Sequence, residues 1–434
     1  MSNQSKVQES TKKTLVDIKT AFKSSDKPDL SPQQINDFQK ELDELRYSIE
    51  SKLGKEDIDY FQQIVDIQRY LEISGRLLIH FSIEPVSWAL GVASLSAAHI
   101  LENMEIGHNV IHGQYDFMGD ETYNSDYEWT MTGTAKNWKR AHNHHHHAYT
   151  NVIGKDTDYG FGLYRFSEDI EWKPIHLLQV PFNVANALAF EFSVSLYDLQ
   201  LTQYLLPKWL RQAEHDDLLP LPEVFQELKE FVAKASKKGL KEYVFYPALA
   251  GPLAPKVLAG NVSAQVIRNV WAFAVIYCGH LPDGNFTFTE KEMEAETKGQ
   301  WYLRQILGSS NFEGGLLTHI MSGHLSHQIE HHLYPDLPAW RYRELGPKVQ
   351  NICERYGVPY AKGKMVPMLG TVARRLVEHS LPEKVSEKIT EKVPGLASIK
   401  NKFASLLNTA KPGTAEIQVI SPKTKSSKSK LSAA

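Results

Sequence analysis

The side chains best suited to chemistry in this sequence are its imidazoles. Five histidines occupy six consecutive positions within "RAHNHHHHAYTN", residues 140–151. A purification tag has this composition, but tags sit at chain ends, and this tract is internal, flanked by Trp138, Tyr149 and Asn151. Of the 18 histidines, twelve fall in three windows: two in 108–112, five in 142–147 and five in 319–332. In "GHNVIHG", His108 and His112 are four apart, so on a helix both rings share one face. His142 and His146 repeat that spacing, with His147 adjacent, while His144 and His145 point elsewhere and read as bystanders. In "HLSHQIEHHLYP", His327 precedes His331 by four, and Gln328 precedes His331 and His332 by three and four. Three independent surface accidents, each landing on ligand spacing, are a poor explanation. One metal site assembled from three chain segments accounts for all of them.

Ligand type narrows the metal. Neutral imidazoles without thiolates suit zinc, copper, iron or nickel. A zinc ion takes only three or four ligands, so seven or more histidines exceed one zinc site. Two metals sharing the set is the economical reading, with iron the common redox choice. Metal-bound imidazoles donate their second N–H to a carboxylate or carbonyl. Glu105, Asp116, Asp156, Asp158 and Glu330 stand close enough in sequence to accept it.

The elements that must position these rings come from the apolar pattern. A mean hydropathy of −0.36 hides local runs. Residues 85–101 and 174–190 carry no Asp, Glu, Lys or Arg, and 243–282 is interrupted only by Lys256 and Arg268. Ser31 reads as an N-cap ahead of Pro32. The following pattern is helical and becomes apolar before Pro85, which predicts adjacent membrane helices over 68–84 and 86–107. Residues 108–173 are polar, and 206–242 are charged and helical in pattern. Strand signals are weak throughout. Net charge is −3, giving no electrostatic reason to expect nucleic acid as a partner. Cys278 and Cys353 match no zinc or redox spacing, so a reducing compartment is expected. The N-terminal segment lacks the apolar core of a signal peptide. The last 35 residues carry seven Lys and one Glu and read as a solvated tail.

"HNVIH", "HNHHHHAYTN" and "HQIEHHLYPDLP" resemble the three histidine boxes of the membrane fatty acid desaturases, in order and separation, over roughly residues 70 to 360. "ENMEIGHNVIHGQYDF" and "CGHLPDG" resemble the bacterial acyl-CoA desaturase branch. The resemblance implies an all-α fold: a membrane helical bundle of about four transmembrane helices capped by a cytoplasmic helical domain holding a diiron site. That domain would span 31–390, between a 1–30 tail and a Lys/Ser-rich tail, 391–434. Implied iron ligands are His108, His112, His142, His146, His147, His331 and His332, with His280 of "CGHLPDG" as a further one. The sequence departs from the commonest pattern at Gln328, where many members have His. Front-end desaturases also carry Gln there, so the choice between His327 and Gln328 stays open.

The implied reaction is oxidation of an acyl chain, bound to CoA or a lipid, by O₂ at two reduced irons, leaving a double bond. No His-Pro-Gly-Gly haem signature and no dinucleotide-binding glycine motif stands in the chain, so electrons from NADH or NADPH are expected through a separate donor protein. The expected location is the bacterial inner membrane with the site facing the cytoplasm. Placing all boxes on one side requires an even number of crossings between boxes two and three. Either 176–200 plus one later crossing or a hairpin within 243–282 satisfies this. Lys237, Lys238 and Lys241 favour the hairpin by the positive-inside rule, as do Glu191 and Asp198 inside the alternative. Lys136, Lys139 and Arg140 beside the second box read as a solvated charge cluster, with an acidic donor or a CoA phosphate as the alternative. Competing activities are a hydroxylase on the same scaffold and a non-enzymatic metal-binding membrane protein.

Overall fold

The computed structural model describes residues 27–207 and 218–382. The C-terminal tail and all but the last four residues of the N-terminal tail lie outside them. The fold is helical, as expected. Among the described residues the sheet consists of β1 (Asn311–Glu313) and β2 (Lys362–Lys364), paired in parallel with Phe312 opposite Gly363.

Helix α1 (Pro32–Glu50) starts where the cap signal places it. Ser31 Oγ accepts from Gln34 N at 3.3 Å, and Gln34 Oε1 accepts from Ser31 N at 3.0 Å, a reciprocal capping box. Its apolar stripe, Phe38, Leu42 and Ile49, joins a core with Tyr302, Tyr334, Tyr342 and Val349. Tyr334 OH donates to Leu42 O at 2.9 Å, which fixes the chain just past the third histidine window.

Helix α2 (Lys55–Phe81) and helix α3 (Pro85–Ile100) form the pair expected around Pro85, which occupies the first turn of α3. Glu84 caps α3, accepting from Val86 N and Ser87 N at 2.6 Å each. The two helices touch backbone to backbone. A Cβ on Gly75 would lie 2.7 Å from Leu95 N, and one on Gly91 would lie 2.8 Å from Ile79 N. Small residues at such a seam let main chains approach. Gly91→Val is expected to lower stability by about 1–3 kcal/mol through overpacking, read as a lower midpoint in thermal unfolding of the purified protein.

The helix Ala254–His280 packs on α2 and α3 through Val257 and Ala264, against Ile79 of α2 and Val92 and Leu95 of α3. Lys256 Nζ reaches His80 O (3.0 Å) and Ser82 O (2.7 Å), serving the open carbonyls at the end of α2.

The expected hairpin turns within 243–282 but is not contained in that run. Residues 243–249 end a helix that begins at Leu221, the chain turns at Gly251 (φ 56°), and one 27-residue helix uses the rest. A crossing needs about 20 residues, so the part of the 243–282 run that precedes Ala254 is too short for a second crossing by itself, and the arm before the turn reaches back to Leu221. Residues 176–200 are broken as well, into Gln179–Leu188 and Phe190–Tyr197. Glu191, just past the break, is buried and accepts from Lys238 Nζ at 2.6 and 2.8 Å and from Arg268. Among the described residues one helix, Gly251–His280, is long and apolar enough to cross a membrane.

Candidate metal centre

Helix α3 does not stop at Ile100. It continues as a π-helical stretch, Leu101–His108, and a final turn, Asn109–Ile111. The second histidine window does the same: Thr134 caps Ala135–Trp138, which runs into a π-helical stretch, Lys139–His146. Expected α-helical spacing is thereby corrected. In a π-helix the main-chain bond joins i to i+5, so positions four and five apart both lie over the same residue. The rings bear this out, since His142 is 5.1 Å from His146 and 5.0 Å from His147, centroid to centroid.

Two groups of nitrogens result, each with its members within 4.8 Å of one another. One comprises His108, His112, His142 and His331, the other His146, His280 and His332. His280 ends the helix Ala254–His280, and its Nε2 lies 3.2 Å from His146 Nε2 and 3.0 Å from His332 Nε2. Gln328 Nε2 lies 2.9 Å from the same atom, and its Oε1 is buried without a partner. Gly279 makes this approach possible, because a Cβ there would sit 2.9 Å from Gln328 Cδ. His147 stands between the groups, 4.8 Å from His331 and 4.4 Å from His332.

The chemistry of the donor set fits metal ions. His331 and His147 are buried with neither ring nitrogen partnered, and His112 Nε2 and His142 Nε2 are likewise orphaned. Buried polar atoms are almost always satisfied, so a cluster of orphans aimed at one space marks a ligand. Burial, reinforced by neighbouring imidazoles, holds the pKa values of His142, His147, His331 and His332 well below the usual range. These rings are therefore neutral and can donate lone pairs.

The groups behind the rings are only partly those expected. Asp156 Oδ1 accepts from His146 Nδ1 and Asp158 Oδ2 from His142 Nδ1, each at 2.9 Å. Asp156 is itself anchored by Asn151 N at 2.7 Å. Asp156→Ala is expected to weaken metal binding about 10–100-fold, measurable by titrating iron into the apoprotein. Other backing groups escaped sequence reasoning. Asn109 Oδ1 faces His108 Nδ1 at 3.0 Å, Gln305 Oε1 and Thr150 Oγ1 face His332 Nδ1 at 3.0 and 3.1 Å, and Gly308 O faces His280 Nδ1 at 3.3 Å. Asn109 adjoins a box residue and Thr150 lies one turn beyond His146. Gln305 and Gly308 come from a separate helix, Lys298–Leu307, and its end, and had no local signal.

The remaining expected acids serve other partners. Asp116 Oδ1 accepts from Ser125 N at 2.8 Å in a surface loop. Glu105 accepts from Tyr60 OH at 2.6 Å and pairs with His324 Nδ1 at 3.1 Å. Glu330 accepts from Asn311 Nδ2 and Tyr360 OH, both at 2.8 Å, and so ties the short box-three helix, Gln328–Leu333, to β1. His327 faces away from both groups. Its ring lies 5.0 Å from His319, and its Nδ1 is 3.6 Å from Glu330 Oε2. His144 is exposed, and His145 is buried against Tyr149 outside the two groups. Each member of the basic cluster has a carboxylate partner: Arg140 pairs with Glu227 at 2.7 Å, Lys136 reaches the same carboxylate at 3.5 Å, and Lys139 pairs with Asp126.

One cavity opens against the nitrogens. His108, His142, His146, His280 and Gln328 form its polar wall, and Trp129, Met131, Phe161, Phe190, Val194, Ile276 and Tyr277 are among its apolar lining. Trp138 also lines it and stacks on His142 at 4.3 Å.

A mostly apolar cavity walled on one side by imidazoles of both groups defines a metal-dependent enzyme acting on an apolar substrate. Comparison with known proteins agrees. The fatty acid desaturase family model matches residues 86–364. The chain is 42% identical over 382 residues to an NADPH-dependent stearoyl-CoA 9-desaturase of Mycobacterium tuberculosis, covering 87% of each chain. It is 26% identical over 280 residues to an sn-1 linoleoyl-lipid 6-desaturase of Synechocystis, covering 62% of this chain and 74% of that one. The chain belongs to the fatty acid desaturase family.

Proposed function

We propose that this desaturase introduces a double bond at carbon 9 of a long-chain acyl-CoA, with stearoyl-CoA the leading substrate, using two iron ions and O₂. The observation that carries the reading is the convergence of seven histidines into two groups beside one mostly apolar cavity, which His108, His142, His146 and His280 line. His108, His112, His142 and His331 would hold one ion, and His146, His280, His332 and Gln328 the other, with His147 within reach of both. Iron supplies the activation of O₂ and the oxidation of unactivated methylenes, which no protein side chain can perform. Asp156, Asp158, Gln305 and Asn109 hold the imidazoles in one tautomer and orientation. The cavity's apolar walls, from Trp129 to Tyr277, keep the acyl chain extended beside the nitrogens and exclude water, so that one carbon pair is presented repeatedly.

Electrons would come from NADPH, which the name of the mycobacterial relative gives for its own reaction, and would pass through a separate donor protein. The chain would sit in the bacterial inner membrane with its metal site facing the cytoplasm. Ile67, Tyr70, Ile73, Leu77 and Phe81 form an exposed apolar stripe along α2, and Leu258, Val262, Ile267 and Val270 are exposed on the helix Ala254–His280. Exposed apolar faces of this extent suit lipid contact. The test is expression in a desaturase-deficient host, with double bonds located by mass spectrometry. New 9-unsaturated acyl chains are expected. Hydroxylated chains, or unchanged lipids with iron-loaded protein present, would overturn the assignment.

A further inference from the structure

Arg268 interrupts the one helix among the described residues that is long and apolar enough to cross a membrane, and it is only 2% exposed. An ionisable side chain within a membrane-length helix is costly and marks function by default. It stands twelve positions before His280 on that helix, ~18 Å away at 1.5 Å per residue, and both residues line the same cavity. The site's histidines thus occupy one end and Arg268 the other.

That second end is rigid. Arg268 pairs with Glu191, which is fully buried and also accepts from Lys238 Nζ (2.6 and 2.8 Å) and Thr132 N (3.0 Å). Arg268 Nη1 lies 3.8 Å from Met131 Sδ, so the guanidinium is wedged between a carboxylate and the cavity wall. A methyl terminus arriving there offers no partner for a displaced charge, and breaking a buried ion pair is strongly unfavourable. We propose that the Arg268–Glu191 pair is the floor of the acyl cavity and sets how much chain is accepted beyond the carbons that are oxidised.

The proposal rests on the desaturase reading and is tested separately from it. Membranes containing the full-length enzyme and its electron donor are given a series of saturated acyl-CoAs of increasing length, and products are quantified by mass spectrometry. Arg268→Ala removes the floor yet leaves Glu191 paired with Lys238, and its optimum is expected to move to longer chains by at least one two-carbon step. Met131→Phe adds bulk above the floor, and its optimum is expected to move the opposite way. Double bonds formed with an unchanged length profile in both variants would overturn the proposal. So would a uniform loss of turnover at every length in folded, iron-loaded Arg268→Ala. If that variant does not accumulate, the Met131→Phe profile decides alone. Absence of double bonds from the wild-type enzyme would instead count against the desaturase reading.

Discussion

His280→Ala is expected to abolish desaturation and to reduce the iron bound by each chain from a pair of ions to a single one. His280 is the member of its group on which the others converge, with its Nε2 at 3.2 Å from His146, 3.0 Å from His332 and 2.9 Å from Gln328. Removing it leaves His146, His332 and the Gln328 amide, with the shared His147 the one imidazole left to complete the set. The loss in affinity at that group should exceed the ~10–100-fold cost of deleting an outer hydrogen-bond partner. His108, His112, His142 and His331 are untouched and should keep their ion. Metal analysis of the purified variant and a product assay read the two effects together. Retention of both ions would remove His280 from the site. The helix that carries it is held elsewhere by Val257 and Ala264, so a normal circular dichroism spectrum is expected.

His280 also shows how far the sequence could be read. Its position after the last apolar run made it a candidate only through family resemblance, because a lone histidine has no spacing to argue from. His108 with His112, and His142 with His146, were legible from a four-residue period. That period does not tell an α-turn from a π-turn, and it is the π-turn that brings His147 beside His142. Capping at Ser31 and the turn at Pro85 were legible because both are local. The backing set was half legible for the same reason. Asp156 and Asp158 follow the second window closely, whereas Gln305, which backs His332, stands 27 residues before it on a separate helix. Glu105 and Glu330 sit next to box residues in sequence but on the opposite face, where they pair with Tyr60, His324, Asn311 and Tyr360. The crossing pattern misled because apolar length alone does not locate a turn; Gly251 places it near the start of the 243–282 run.

The choice between His327 and Gln328 needed three dimensions, since each precedes a box-three histidine by four. Spacing left the two open, but the short helix begins at Gln328 and leaves His327 outside its first turn, with φ −109° and ψ 55°. Its ring therefore packs toward His319, while Gln328 enters the gap beside His280 that Gly279 leaves open. Gln328→Leu, nearly isosteric but without a donor oxygen, is expected to cut turnover by ~10–100-fold or more, the scale of losing a supporting metal contact, and to weaken the ion held by His146, His280 and His332. His327→Ala should keep both ions and change turnover little, because its nearest polar contact is Glu330 Oε2 at 3.6 Å. Iron titration and product yield, measured on both variants in parallel, separate the cases. An iron-deficient His327→Ala beside a normal Gln328→Leu would reverse the assignment and with it the composition of the second group. A loss in both would mean that the turn at 327–328 acts as one unit, holding His331 and His332 in place whichever side chain faces the ion.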